Sequence, residues 1–286
     1  MRMSRKCKPN DASFLHIQSA SIYYEWFKSL HPKKGTLLLV HGIFASVHCF
    51  YRVIPALRQH YDVICCDLPG FGRSSKGNGS VYSFTSYAQQ LNELMEQFNV
   101  SSYHVIGHSM GGQIALYLAL RYPHKVKSIS LLASSGYLKP VKKQLQFATY
   151  LPYLEQSLTW FMHYKKPRVK QMLRDAVYNQ RCLTKDMITH YERPLMDPLF
   201  INGLIQLTRQ REGDLSKEQL QQIHQPTLIL SGVNDPLISV ETSYALQRDL
   251  GNSRIRVIKH CGHLLLEEKP KQVHQHINHF LQEIML

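Results

Sequence analysis

The chain has 286 residues, 44% of them hydrophobic and 10% aromatic, and a formal net charge of +14. This composition excludes a natively unfolded chain, which requires low hydrophobicity and few aromatic residues. No run of about eighteen apolar residues is present, which excludes a membrane-spanning helix, and the basic start lacks the apolar run of a signal peptide. We therefore expect a soluble, cytoplasmic protein with a large core.

The first half of the chain alternates between short apolar runs and amphipathic stretches. Residues 14–27 have the composition of an opening hairpin. Apolar runs predict buried strands at 36–40, 63–66, 103–106 and 126–133, and helical spacing predicts helices at 85–98 and 113–121. Strands that alternate with helices in this way predict an α/β fold, a mostly parallel twisted sheet with helices on both faces.

The alternation stops in the middle of the chain. Residues 138–225 contain helix-like stretches separated by prolines, after which strands at 227–231 and 254–258 alternate with helices at 240–250 and 272–284. The simplest interpretation is one sheet domain, residues 1–137 and 226–286, that carries a helical cap of residues 138–225. Ten lysines and arginines stand against three acidic residues between 138 and 186, so half of the excess positive charge lies in the cap.

The excess of positive charge does not by itself identify a partner. It fits nucleic acid, an anionic membrane, an acidic substrate or simple solubility. No nucleic-acid recognition motif accompanies it, so we expect no nucleic-acid partner. The six cysteines form no C-x-x-C pair, and a metal site on His274, His276 and His279 would need cysteine or carboxylate partners at fixed spacing. Neither a disulfide framework nor a metal site is expected.

The strongest chemical signal is the segment 107–112, GHSMGG, between a predicted strand and a predicted helix. A serine at such a turn sits in a cramped backbone conformation, which Gly107 and Gly111 permit. The turn lifts the hydroxyl of Ser109 above the carboxyl ends of the strands, and the following helix offers N–H groups to an anion. Ser109 is therefore the candidate nucleophile, and the alternative is a purely structural turn.

These features together resemble the α/β-hydrolase fold superfamily, and in particular its serine esterases and lipases. The resemblance covers nearly all of the chain outside the cap. Besides GHSMGG it rests on His41-Gly42, DLPGFGRS at 67–74, GVNDP at 232–236 and Gly262-His263. The set is specific for the fold and for a serine nucleophile, and it says little about the substrate.

The resemblance implies a Ser-His-Asp triad whose members follow one another in the order serine, acid, histidine. In that order Ser109 is followed by Asp235 and His263. Each of the latter two lies in a loop after a predicted strand, at the same edge of the sheet as the nucleophile. Asp235 has the alternative role of forming a turn, and Asp197 and Asp214 in the cap are weaker rivals for the acid.

The resemblance also assigns roles around the nucleophile. The backbone N–H of Met110, one residue past the nucleophile, is one expected oxyanion donor, and the N–H of Ile43, after the His-Gly pair, is the second. His41 is expected to brace its loop by hydrogen bonding. His108 adjoins the nucleophile in sequence, so its side chain should point away from the hydroxyl.

A serine nucleophile favours acyl chemistry. We expect a serine hydrolase that cleaves a carboxylic ester through an acyl-enzyme. The alternative within enzymes is a carbon–carbon bond hydrolase of ring-cleavage dienoates, whose acidic substrate would suit a basic cap. A weakly catalytic ligand sensor or regulatory partner on the same fold is the alternative from another class. No phosphate-binding or dinucleotide-binding motif occurs, so no cofactor is expected.

Apolar residues in the cap recur at helical spacing between 147 and 161. They predict a lid helix packed on the core, or alternatively an acyl groove or a surface that touches lipid. We expect a small acyl substrate, hydrophobic or anionic, that contacts Phe44 of the loop and Trp160 and Phe161 of the cap. Peripheral contact with a membrane stays open.

Overall fold

The computed structural model describes residues 8–77, 81–165, 169–197 and 199–285, with the backbone alone at 161–165. The strands are β1 (Asp11–Ile17), β2 (Ala20–Phe27), β3 (Gly35–Val40), β4 (Tyr61–Cys66), β5 (Tyr103–His108), β6 (Val126–Leu132), β7 (Thr227–Gly232) and β8 (Ser253–Ile258). The helices are α1 (Ile54–Leu57), α2 (Phe84–Gln97), α3 (Met110–Arg121), α4 (Lys143–Ala148), α5 (Leu154–Lys165), α6 (Val169–Ala176), α7 (Lys185–Leu195), α8 (Phe200–Gln210), α9 (Lys217–Leu220), α10 (Val240–Asp249), α11 (Leu265–Glu268) and α12 (Pro270–Glu283). Short 3-10 helices span Val47–Phe50 and Gln180–Cys182.

The strands form one sheet in the order β1-β2-β4-β3-β5-β6-β7-β8. β1 and β2 form the predicted hairpin, and β2 pairs antiparallel with β4, whereas all pairs from β4 to β8 are parallel. The predicted α/β fold is therefore confirmed. β3 lies between β4 and β5, so the chain changes direction across the sheet there, and the carboxyl ends of β3 and β5 border the crevice that such sheets use for ligands.

At the nucleophile turn, the structure differs from the predicted end of one strand and the predicted start of one helix. The strand predicted at 103–106 continues to His108, and the helix predicted from 113 begins at Met110. Two glycines, at 111 and 112, concealed the first turn of α3 because glycine has a poor intrinsic preference for helix. Ser109 is therefore the single residue between a buried strand and a helix.

The segment between β6 and β7 is helical. Its described residues form α4 to α9, a 3-10 helix and turns, and no strand. α5 packs against α8, and α6 packs against α7. The segment leaves the sheet at the carboxyl end of β6, the edge at which Ser109 lies. The division into core and cap at residues 138 and 225 stays a prediction. None of the helices within the described ranges has both the length and the apolar character needed to cross a membrane.

Candidate active site

Ser109 occupies a strained turn between β5 and α3. Its φ is 54° and its ψ is −119°, a conformation that residues other than glycine rarely adopt. A Cβ at Gly107 would lie 2.3 Å from the carbonyl oxygen of Gly111, and a Cβ at Gly111 would lie 2.2 Å from that of Val40. Both positions therefore require glycine, which explains the GHSMGG spacing. The turn leaves Ser109 on the wall of a cavity.

His263 and Asp235 form a hydrogen-bonded pair next to this cavity. His263 Nδ1 lies 2.8 Å from Asp235 Oδ2. The other carboxylate oxygen, Oδ1, accepts hydrogen bonds from the N–H groups of Leu237 at 2.8 Å and Ile238 at 2.9 Å. The carboxylate is thus held at both oxygens. Because Nδ1 donates to Asp235, Nε2 keeps the lone pair and is the nitrogen that can accept a proton.

The loops after β7 and β8 are joined by their backbones, which brings the pair together. The N–H of Asn234 donates to the carbonyl of Cys261 at 2.9 Å. A Cβ at Gly232 would lie 2.4 Å from the same carbonyl oxygen, so only glycine allows this approach. The N–H of His263 donates to the carbonyl of Ala176 at 2.8 Å, which ties the second loop to the end of α6.

Ser109 and His263 line the same cavity. The structure places the two side chains on its wall without a hydrogen bond between them, and catalytic hydrogen bonds of this kind often tighten only when substrate binds. The structure thus brings together Ser109, His263 and, behind His263, Asp235. The two rivals for the acid have other partners: Asp197 pairs with Lys76, and Asp214 accepts a hydrogen bond from the N–H of Leu138.

The two expected oxyanion donors flank the nucleophile. Met110 is the first residue of α3, so its N–H has no partner within the helix. Ile43 follows Gly42, where a Cβ would lie 2.9 Å from Ser109 Cβ, so the backbone of this loop runs beside the nucleophile. Ile43 and Met110 both line the cavity. Phe44 bends the loop with a φ of 62°, a left-handed conformation that is costly for an aromatic residue.

Two buried histidines near the site are neutral for a common reason. Burial lowers the pKa of His41 to about 4, and burial together with the nearby His263 lowers the pKa of His108 to about 3. His41 Nε2 accepts the N–H of Leu68 at 3.0 Å while its Nδ1 donates to the carbonyl of Gly42 at 2.7 Å. His41 therefore braces the oxyanion loop against the loop after β4. Since neither ring is charged near neutral pH, neither opposes a positive charge on His263.

Asp67 fixes the loop that follows β4. Its buried carboxylate accepts the N–H of Val47 at 2.7 Å and that of Arg73 at 2.8 Å. Burial raises the pKa of Asp67 to about 6, although these hydrogen bonds oppose the rise. A Cβ at Gly72, whose φ is 51°, would lie 2.1 Å from the carboxylate. The motif DLPGFGRS is thus a structural element that fixes its own loop against the 3-10 helix Val47–Phe50.

The cavity has a volume of about 550 Å³ and is mostly apolar. Sequence reasoning missed most of its wall, whose apolar members come from α2, the segment before α4, α4 itself, α6 and α8. They include Phe84, Leu138, Val141, Leu145, Leu173 and Leu207. The periodic apolar residues of α6 and α8 were the available signal, although periodicity alone does not separate a cavity wall from a packed core.

The three residues expected to contact substrate have different positions. Phe44 lines the cavity and packs against Phe200 with ring centroids 5.9 Å apart. Trp160 is 65% exposed and is not part of the wall, because it lies on the solvent-facing side of α5. The side chain of Phe161 falls outside the described residues.

Arg211 is the basic side chain in the cavity wall. Its guanidinium stacks 5.7 Å from the centre of the Phe84 ring, and its Nη1 lies 4.0 Å from the carboxylate of Asp214. Arg211 follows α8 directly, at the end of the cap segment. The guanidinium of Arg211 therefore gives the mostly apolar wall a group that suits an anionic part of a substrate.

Glu268 holds the loop before His263 and was not anticipated. Its carboxylate accepts the N–H of Gly262 at 2.7 Å, and the N–H groups of Tyr178 at 3.0 Å and Asn179 at 2.9 Å. One side chain thus joins the loop that carries His263 to the cap segment after α6. No sequence pattern points to the contact with the cap, because Tyr178 and Asn179 are 90 and 89 residues from Glu268.

Comparison with known proteins places this arrangement in a family. Residues 35–270 match the alpha/beta hydrolase fold family, so the chain belongs to that family and is a hydrolase of the α/β-hydrolase class. It is 35% identical to the uncharacterized hydrolase YugF of Bacillus subtilis, over 93% of this chain and 96% of that protein.

Two further relatives differ in the chemistry that their names state. Lipase 3 of Moraxella sp. is 28% identical over 82% of this chain and 73% of its own length. The 2-hydroxy-6-oxo-2,4-heptadienoate hydrolase of Pseudomonas putida is 26% identical over 86% of this chain and 88% of its own length. The relatives of this chain therefore include both a lipase and a dienoate hydrolase, at similar sequence identity.

Proposed function

We propose that the protein is a serine hydrolase that cleaves a carboxylic ester with an apolar acyl group. The observation that carries the proposal is the 2.8 Å hydrogen bond between His263 Nδ1 and Asp235 Oδ2, beside a cavity that also exposes the strained Ser109. A serine hydroxyl is a weak nucleophile unless a base takes its proton, and an oriented imidazole is such a base.

The reaction follows from these positions. His263 Nε2 takes the proton of Ser109 as its oxygen attacks the ester carbonyl, and Asp235 stabilises the imidazolium that forms. The N–H groups of Ile43 and Met110 stabilise the oxyanion of the tetrahedral intermediate. His263 then returns the proton to the departing alcohol, which leaves an acyl-enzyme on Ser109. Water, activated by the same histidine, releases the acid.

The apolar wall supports an apolar acyl chain, and the outer surface of the cap supports delivery from a lipid surface. Several large apolar side chains of the cap are more than half exposed. They are Leu145, Phe147, Tyr150, Leu151, Tyr153 and Trp160, which together we call the apolar cap face. Leu145 belongs both to this face and to the cavity wall, so the two surfaces are continuous. Exposed lysines at 139, 142 and 143 border the face and suit anionic lipid.

Cleavage of a carbon–carbon bond next to a ketone is the second candidate. Arg211 in the cavity wall supports it, because its guanidinium suits the carboxylate of a dienoate substrate. The relative in Pseudomonas putida whose name states a dienoate substrate also supports it. The same serine and histidine would act in both reactions, so the substrate alone separates the two candidates.

The decisive measurement is the hydrolysis of p-nitrophenyl esters from acetyl to palmitoyl by the wild type and by Ser109→Ala. We expect turnover of the wild type and a loss of at least about a thousandfold in Ser109→Ala. Ser231→Ala is the matched control, because this serine is buried in β7 and its hydroxyl has no hydrogen-bond partner among the described residues. Its rate should stay within about twofold of the wild type.

Labelling by an organophosphate separates the remaining outcomes. Labelling of Ser109 without ester turnover would favour the carbon–carbon bond candidate, and a dienoate would be the next substrate. The absence of both turnover and labelling would contradict a hydrolytic serine. It would favour the ligand-sensor alternative.

A further inference from the structure

A cluster of metal-binding side chains lies where α7 of the cap meets the loop after β3. His48 belongs to the 3-10 helix Val47–Phe50, and Asp186 and His190 lie one turn apart on α7. Their ring nitrogens and carboxylate oxygen all lie within 4.8 Å of one another. Asp186 and His190 have the spacing of four residues that places two ligands on one helix face.

The distances fit a small tetrahedral ion. His190 Nε2 lies 3.4 Å from Asp186 Oδ1. Bonds from zinc to nitrogen and carboxylate oxygen are about 2.0–2.2 Å long, and tetrahedral ligands at such distances lie about 3.3–3.6 Å apart. The Asp186–His190 pair therefore already has the separation of two ligands on one ion.

The two imidazoles are unusually close. The ring centroids of His48 and His190 lie 3.3 Å apart with an angle of 22° between the rings, against about 4.5–7 Å for aromatic pairs in general. Rings stacked in this way have in-plane lone pairs that are nearly parallel, so the binding of one ion by both rings requires the rings to rotate apart. Both side chains are half-buried, at a boundary with solvent.

We propose that His48, Asp186 and His190 bind a divalent transition-metal ion, with Zn²⁺ as the best fit. Two imidazoles and one carboxylate suit zinc and similar ions, whereas Mg²⁺ and Ca²⁺ prefer oxygen ligands alone. All three residues are partly accessible, so an ion can enter from solvent and water can complete the coordination. No metal site was expected from the sequence, because His48 is more than 130 residues from its partners.

The site would join the cap to the oxyanion loop. Ala45 and Tyr191 line both the cleft beside the two histidines and the large cavity. Ala45 lies two residues after Ile43, and Tyr191 adjoins His190. A bound ion therefore restrains α7 against the loop that carries the oxyanion donor, and metal occupancy sets how firmly the cap is held.

The test is metal binding by the full-length chain after treatment with a chelator. We expect calorimetry to show one Zn²⁺ bound per chain, Co²⁺ to give the intense visible absorption of a tetrahedral site, and Zn²⁺ to raise the melting temperature. His190→Ala and Asp186→Asn should each weaken Zn²⁺ binding by at least about tenfold.

The matched control is His279→Ala. His279 Nε2 lies 3.3 Å from Glu283 Oε1, again with a spacing of four residues on one helix. This pair belongs to no cluster of three ligands among the described residues, so its loss should leave the Zn²⁺ affinity unchanged.

Equal weakening of Zn²⁺ binding by His279→Ala and His190→Ala, or the absence of stoichiometric binding, would overturn the proposal. The readout is metal binding, so the result is independent of ester hydrolysis. The melting temperatures of the metal-free variants show that they fold.

Discussion

At the scale of single residues, the site depends on backbone positions that only particular side chains tolerate. Ser109 keeps a φ of 54° because Gly107 and Gly111 allow the strand, the turn and the helix to approach within van der Waals contact. Strain of this kind costs of order 1–3 kcal/mol and persists only where the surroundings hold it. The buried ends of β3 and β5 supply that constraint, so the nucleophile is positioned before any substrate arrives.

Asp235→Asn tests whether the carboxylate sets the tautomer of His263. The asparagine oxygen can still accept the N–H groups of Leu237 and Ile238, which keeps the loop in place. Its amide nitrogen would then face Nδ1 as a donor, which forces the proton of the ring onto Nε2 and removes the base. We expect kcat to fall by about 10³–10⁴-fold with a KM near that of the wild type. A loss smaller than about tenfold would show that Asp235 is only a turn residue.

At the scale of the elements, the sequence predicts what repeats locally and misses what is made between distant segments. The strands from 36 to 133 and the helices around them follow from runs and spacing, because burial on both faces of a sheet imposes apolar runs. The pairing of His263 with Asp235 was predictable because the family resemblance implies the order serine, acid, histidine, and both residues follow strands at one edge of the sheet. The contacts of Glu268 and the solvent-facing position of Trp160 were not, because they depend on how the cap packs, which no local pattern encodes.

Asp214→Asn tests how the end of the cap segment is fixed. The Asp214 side chain is buried, and it accepts the N–H of Leu138 through Oδ2 while its Oδ1 has no hydrogen-bond partner within the described residues. Burial raises the pKa of Asp214 to about 6, so the folded state holds this proton more tightly than the unfolded state. The group therefore lowers the free energy of unfolding as pH rises from about 4 to about 6.

An asparagine side chain resembles a protonated carboxyl group, and it does not lose a proton as the pH rises. The free energy of unfolding of Asp214→Asn, measured by urea denaturation, should rise relative to the wild type between pH 4 and pH 6. Over this pH interval, the difference between the two proteins in the free energy of unfolding should change by about 3 kcal/mol. Other buried carboxyls, such as Asp67, titrate in both proteins and cancel in the difference. A difference that stays level or falls over this interval would contradict the assignment.

At the scale of the whole molecule, excess positive charge and exposed apolar side chains fall in the same segment of the chain. Half of the net charge of +14 lies between residues 138 and 186, which also hold the apolar cap face. None of the residues of α4 is buried, although this helix contains Leu145 and Phe147. Exposure of this many large apolar side chains beside lysines is costly in water and favourable at an anionic lipid surface. Leu145 of this face also lines the cavity that holds Ser109, so contact with lipid would bring an ester close to Ser109.

The double variant Phe147→Ser/Leu151→Ser tests this contact by sedimentation with vesicles that contain phosphatidylglycerol. These two side chains are 71% and 60% exposed, so their loss should leave the fold intact. Removal of two inserted apolar groups should weaken vesicle binding by at least about tenfold, and high salt should weaken wild-type binding by screening the lysines. Leu30→Ser is the matched control, because Leu30 is 57% exposed in the loop before β3, at the opposite edge of the sheet. Equal binding by the double variant and the control would show that the apolar cap face does not contact lipid.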